Sequence, residues 1–206
     1  MKMFDMEIDG RAVRGREGQT VLEVARDAGI EIPTLCYSDE TEHIGGCRIC
    51  SVQVETNGRK SIVTSCSYPA DEGLKVTTNS PKIRKMRRTI LELAAVNSGP
   101  DVAGDFFSLA REYGADLTRF SSIVSGEMRS CILCGLCVNK CREATHDGAI
   151  GFVGRGVHKR VVRFPEKAQT CANCNYCNNI CPTGRIKQGG PDPPFPTVDD
   201  VLSGRA

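Results

Sequence analysis

The chain has 206 residues with a formal charge of +2, 12 cysteines, no Trp and only 5% aromatic residues. Apolar packing is therefore modest, and bound metal is expected to help hold the fold. No run of 18 apolar residues occurs and the charges in MKMFDMEIDG interrupt any signal-peptide core, so neither a membrane span nor export is expected. In the cytoplasmic, reducing setting this implies, clustered cysteines read as metal ligands and not as disulfides.

Taken in chain order, Met3, Met6 and Ile8 precede an Asp9-Gly10 turn and the run RAVRGR, which predicts a β-hairpin. A helix follows in GQTVLEVARDAGIEIP. Thr20 and Glu23 form a capping box, Val21, Leu22, Val24, Ala25 and Ala28 form its stripe, and Gly29 closes it. CSVQVETNGRKSIVTSC alternates apolar and polar residues about Asn57-Gly58, a second hairpin. Residues 1–79 thus form a small α+β domain.

Ser80 caps and Pro81 opens a further helix with Ile83, Met86, Ile90, Leu91, Leu93 and Ala94 on its apolar face. Lys82, Arg84, Lys85, Arg87 and Arg88 lie mostly opposite, as a solvated face or, on a sharper reading, a dock for an acidic partner. Asn97 to Pro100 end this helix and DFFSLAREYG suggests a short one, which makes residues 80–127 a helical linker. A second domain occupies 128–188. The tail 189–206, with GGPDPPFPTVDD, is expected to be extended.

The second domain carries an internal repeat. CILCGLCVNKC and CANCNYCNNIC share the spacing Cys-x2-Cys-x2-Cys-x3-Cys, displaced by 40 residues. This is the spacing of bacterial-type ferredoxins, in which three cysteines hold one [4Fe–4S] cluster and the fourth crosses to the other. It assigns Cys131, Cys134, Cys137 and Cys181 to one cubane, and Cys171, Cys174, Cys177 and Cys141 to the second. Pro182 follows the last cysteine as that pattern expects, whereas Arg142 stands at the equivalent place in the first motif. Structural zinc prefers paired Cys-x2-Cys units to such runs of four.

A separate set, Cys36, Cys47, Cys50 and Cys66, has the spacing Cys-x10-Cys-x2-Cys-x15-Cys. The plant-type [2Fe–2S] pattern begins Cys-x4-Cys-x2-Cys, so the first interval is longer here, and spacing alone leaves zinc open. Gly45-Gly46 suits a loop curling round a cluster with amides free to donate to sulfur. If all 12 cysteines ligate clusters of about −2 each, the loaded chain carries roughly −4. Nucleic-acid binding is not expected.

The stretch EIPTLCYSDETEHIGGCRICSVQVE, continued by SCSYPADEGLKVTTNSPKIRKMRRTILELAAVN and by CILCGLCVNKCREATHDGAIGFVGRGV, resembles a known family. It is similar to the N-terminal region of the large iron–sulfur subunit of complex I and to the small diaphorase subunit of NAD-linked [NiFe] hydrogenases. Multimeric [FeFe] hydrogenases and NAD-dependent formate dehydrogenases share the same front end. The resemblance implies a [2Fe–2S] cluster on the first four cysteines in a β-grasp domain, ahead of the two-cubane domain. It also implies a pattern Asn-His-x3-Cys-x2-Cys-x5-Cys in the linker. Asn97 matches, but Ser98, Val102, Asp105 and Arg111 stand where its ligands would be. That cluster is expected to be absent. His43, His146 and His158 lie elsewhere, as surface or polar-core residues.

Three clusters with no catalytic residues define an electron conduit. GFVGRG lacks a βαβ context, so neither NAD nor flavin is expected on this chain. The expected function is that of an iron–sulfur electron-transfer subunit in a cytoplasmic NAD(P)-linked oxidoreductase. Its partners would be a flavin- and NAD(P)-binding diaphorase subunit and a second redox subunit, such as a hydrogenase, a formate dehydrogenase or a bifurcating ferredoxin- or NADP-using module. A free-standing polyferredoxin is the alternative. Lys140 and Arg142, beside Cys141, are candidates to raise a cubane's potential.

Overall fold

A computed structural model describes residues 2–42, 44–98, 104–120, 130–145, 148–167, 174, 176–177, 180–186 and 195–203. Strands β1 (Met3–Ile8) and β2 (Arg11–Arg16) pair in antiparallel register through the Asp9-Gly10 turn, and β3 (Ser51–Thr56) and β4 (Arg59–Thr64) do so through Asn57-Gly58. Between the hairpins runs helix α1 (Val21–Asp27), with the Thr20/Glu23 capping box formed in both directions.

A strand that the sequence does not announce, β5 (Lys75–Thr77), joins the hairpins into one mixed sheet of order β2-β1-β5-β3-β4. It lies parallel to β1 and antiparallel to β3. Three residues are too few to display an alternation, so only pairing on both edges defines it. Ile8, Leu22, Val52, Val54 and Val76 are buried between this sheet and α1, each contributing roughly 1.5–3 kcal/mol. This mixed sheet with α1 packed on it is the expected α+β, ferredoxin-like arrangement.

Helix α2 (Pro81–Ser98) starts with the Ser80 hydroxyl accepting from the Ile83 amide, and it packs on α3 (Gly104–Glu112). Its buried stripe differs from the apolar face expected. Ile83, Arg87, Leu91, Ala95 and Ser98 are buried, as is Glu92, whereas Leu93 is half exposed. Steps of four residues put Arg87 between Ile83 and Leu91, so this arginine belongs to the packed face and not to a solvated one. The Glu92 carboxylate receives Arg88 Nε (2.9 Å), Arg119 Nη1 (2.7 Å) and the Asp116 amide (3.3 Å). Burial pushes its pKa up, but these donors outweigh burial and hold it below the usual carboxylate range.

Beyond the linker, α4 (Leu136–Thr145) lies against the antiparallel pair β6 (Ile150–Val153) and β7 (Arg160–Arg163). The expectation of an extended tail needs correction over its described part. Phe195 is buried, the Pro196 carbonyl accepts the Arg163 amide, and α5 (Val198–Leu202) forms behind a Thr197/Asp200 capping box. The Pro and Gly residues precede this segment, whereas TVDD itself is a helix-start sequence. Among the described residues, no helix is long and apolar enough to cross a membrane.

Candidate metal centres

The end of β3 and β4, together with the loop after α1, brings Cys36, Cys47, Cys50 and Cys66 together. Cys36, Cys50 and Cys66 are buried and Cys47 is half-buried. The thiols form two pairs, Cys36 with Cys47 and Cys50 with Cys66, and the charge of Cys36 reaches both members of the second pair. In the first pair, a hydrogen bond from Cys47 draws Cys36 down to about 6 while Cys47 is pushed up. In the second, Cys66 does the same for Cys50, again to about 6. In each pair one thiol is thus drawn toward the thiolate, the form in which sulfur binds metal.

Backbone amides also turn onto these sulfurs. The Cys47 amide lies 3.3 Å from Cys36 Sγ, and the Gly46 amide also donates to Cys36. Ile49 does the same for Cys47, and Cys66 for Cys50. Arg48, inside the Cys47–Cys50 turn, has φ +65°. Such a conformation in a non-glycine residue costs of order 1 kcal/mol and persists where surrounding contacts over-determine it. Leu133 repeats the device between Cys131 and Cys134, with φ +54° and its amide 3.4 Å from Cys131 Sγ.

The other described cysteines line two separate cavities. One is lined by Cys131, Cys134, Cys137 and Cys181, the other by Cys141, Cys174 and Cys177. Cys171 lies outside the described residues. Among the described residues, Cys181 of the second run lines a cavity with Cys131, Cys134 and Cys137, and Cys141 of the first run lines one with Cys174 and Cys177; α4 carries Cys141 one helical turn past Cys137. Burial pushes the Cys134 thiol up to about 12 and raises Cys131 and Cys137 as well. Arg185 lines the first cavity and hydrogen-bonds Cys131. Nothing in the spacing of the sequence marks this arginine.

Lys140 and Arg142 are placed differently from the expectation that they tune a cubane. Lys140 Nζ pairs with Glu40 at 2.7 Å and Arg142 with Glu42 at 3.5 Å. Asn139 Nδ2 donates to the Glu42 carbonyl, and the Glu42 amide donates to Glu143. The long Cys36–Cys47 interval is thus the dock between the first domain and α4. Gly135 makes the approach possible: its φ is +83°, and a Cβ there would come within 2.9 Å of Ile44 Cδ1. At this junction Cys36 contributes to the electrostatic environment of Cys134.

Comparison with known proteins bears on the metal. Residues 1–81 match the family of 2Fe-2S iron-sulfur cluster binding domains. The crystal structure of an NAD+-reducing [NiFe]-hydrogenase in the H2-reduced state aligns with a TM-score of 0.72 at 31% identity, covering 88% of this chain and 85% of that one. This chain belongs to the iron–sulfur subunit family of complex I and NAD(P)-linked hydrogenases. Family members include the NADPH-Fe(3+) oxidoreductase subunit alpha of Geobacter sulfurreducens, 32% identical over 89% of this chain and 24% of that protein. The NADP-reducing hydrogenase subunit HndD of Solidesulfovibrio fructosivorans is 31% identical over 90% of this chain and 36% of its own length. The NADH-ubiquinone oxidoreductase 75 kDa subunit of Reclinomonas americana is 30% identical over 89% and 29%. The chain thus spans a quarter to about a third of these curated relatives. Its first domain is a [2Fe–2S]-binding domain, and two thiol pairs, Cys36 with Cys47 and Cys50 with Cys66, with backbone amides turned onto their sulfurs, suit that group.

The positions at which the family resemblance places a histidine-containing site differ in their surroundings. Ser98 is buried with its hydroxyl donating to the Ala94 carbonyl, while Asp105 and Arg111 are exposed. Val102, His43 and His146 lie outside the described residues, and His158 is exposed. Phe106, fully buried, fills the space beside Leu91, Ala95, Leu35 and Ile49. Its amide donates to the Pro182 carbonyl, and a Cβ on Gly104 (φ +70°) would sit 2.8 Å from that same oxygen. The linker is therefore wedged between the [2Fe–2S] domain and the end of the second cysteine run.

Proposed function

We propose that this chain is the iron–sulfur electron-transfer subunit of a multisubunit cytoplasmic NAD(P)-linked oxidoreductase. It relays single electrons between a flavin subunit and a second redox module. Cys36, Cys47, Cys50 and Cys66 hold the [2Fe–2S] cluster. Cys131, Cys134, Cys137 and Cys181 hold one [4Fe–4S] cluster, and Cys171, Cys174, Cys177 and Cys141 hold the other. When bound, these groups supply one-electron carriers whose potentials follow charge, hydrogen bonding to sulfur and solvent exposure.

The observation that carries this reading is the sorting of cysteines across the repeat into two cavities, with Cys134 of one near Cys36 of the first domain. The chain's own residues supply insulation and alignment. Val161, Ile186 and Phe195 keep water from the first cavity, amides stabilise the thiolates, and the Glu40 and Glu42 contacts fix the domains against each other. No nucleotide or flavin is assigned to this chain. GFVGRG falls on β6 and the turn after it, outside any βαβ unit. We assign hydride chemistry to partner subunits: a diaphorase and a hydrogenase, formate dehydrogenase or bifurcating module.

Anaerobic purification from the native source tests this directly. A flavin-containing subunit is expected to co-purify in fixed proportion. Recovery of the chain as a monomer with its iron in place would overturn the reading in favour of a diffusing polyferredoxin.

A further inference from the structure

Arg87 lies on the inner face of α2 with 2% of its surface exposed. Nε donates to the Ile49 carbonyl at 3.0 Å and Nη2 to the Ser51 carbonyl at 2.9 Å, so the guanidinium spans the two residues flanking Cys50. Nη1 donates to Tyr113 Oη at 2.9 Å. All three acceptors are neutral. Asp105 and Glu112 border the same groove, yet among the described residues no carboxylate pairs with Arg87. A buried cation with only neutral acceptors is costly unless another charge compensates it.

We infer that Arg87 is a positioning residue whose charge is balanced by the anionic [2Fe–2S] site at Cys50, and that it raises that site's reduction potential. The inference rests on the [2Fe–2S] assignment of the proposed function. The fork of the guanidinium fixes the Cys47–Cys50 turn, in which Arg48 is held at positive φ, by gripping its last residues from behind. Its positive charge favours the form of the site that carries one more electron. Tyr113, on the stretch that carries no cysteine, completes the grip, and Arg84 stacks over its ring at 5.0 Å. Residues of the linker thus act on the first domain's metal site without ligating it.

The test is a redox titration of the [2Fe–2S] EPR signal in the full-length, cluster-loaded chain, comparing wild type with Arg87→Gln and Arg87→Lys. Gln keeps an N–H donor for the carbonyls but removes the charge; Lys keeps the charge but cannot span both carbonyls. The Gln variant is expected to titrate at a more negative potential, and the Lys variant close to wild type. Both should lose [2Fe–2S] iron to a chelator faster than wild type. An unchanged potential in the Gln variant overturns the inference. If that variant cannot hold the cluster, Lys decides. Retention at wild-type potential ties the site to the charge, and loss in Lys as well would make the role purely steric and overturn it. Absence of a [2Fe–2S] signal from the wild type would instead defeat the proposed function itself.

Discussion

Replacing Cys181 by Ser is expected to abolish the cluster held by Cys131, Cys134 and Cys137, residues of the other cysteine run, and to leave the cluster at Cys174 and Cys177 intact. The expectation follows from the first cavity, whose wall includes Cys181 and not Cys141. A hydroxyl at this position is a far poorer ligand for iron than a thiolate, so about four of roughly ten irons per chain should be lost. The substitution also leaves its surroundings in place. Thr183 still donates to the Ser130 carbonyl, and Pro182 still accepts the Phe106 amide. EPR spectra of Cys181→Ser and Cys131→Ser should therefore coincide, while Cys141→Ser should give a different residual spectrum. If Cys141→Ser coincides with Cys131→Ser instead, each run holds its own cluster and the crossed arrangement is wrong.

Cys66→Ser is expected to remove the [2Fe–2S] signal entirely and to spare both cubane signals. Cys66 is buried beside Cys50, and its thiol is the hydrogen-bond donor that holds Cys50 low. A serine in its place loses a ligand and disturbs the pairing of the other three. The second domain keeps its own support: the α4, β6 and β7 packing and the seat of Phe195. Loss of every signal at once would show that the two domains depend on each other to fold. In that case the contacts of Glu40 and Glu42 with α4 would have to be more than a dock between two independently stable units.

The hairpins, α1 with its capping box and the helical linker are legible in the sequence because each rests on local chemistry. Asp9-Gly10 and Asn57-Gly58 turns, a Thr-x-x-Glu start and a Ser-Pro start act within a few residues. The cysteine groups are suggested by spacing matched to known cluster patterns and not by local contacts, since Cys66 and Cys181 lie far along the chain from the cysteines they are grouped with. What was not legible depends on partners distant in the chain. Strand β5 exists because β1 and β3 pair with it. Arg87 reads as surface charge until Ile49, Ser51 and Tyr113 are brought to it. Lys140 and Arg142 stand next to a cysteine in sequence, but their carboxylate partners lie in the first domain. The ordered end of the tail was hidden by the Pro and Gly residues before it. Phe195 finds its place only against the second domain.

The central claim is that one chain carries one [2Fe–2S] and two [4Fe–4S] clusters. Iron and acid-labile sulfide, counted on the chain purified without oxygen, test it most directly. About ten of each per chain are expected, two from the first domain and eight from the second. Stoichiometric zinc with no acid-labile sulfide would contradict it.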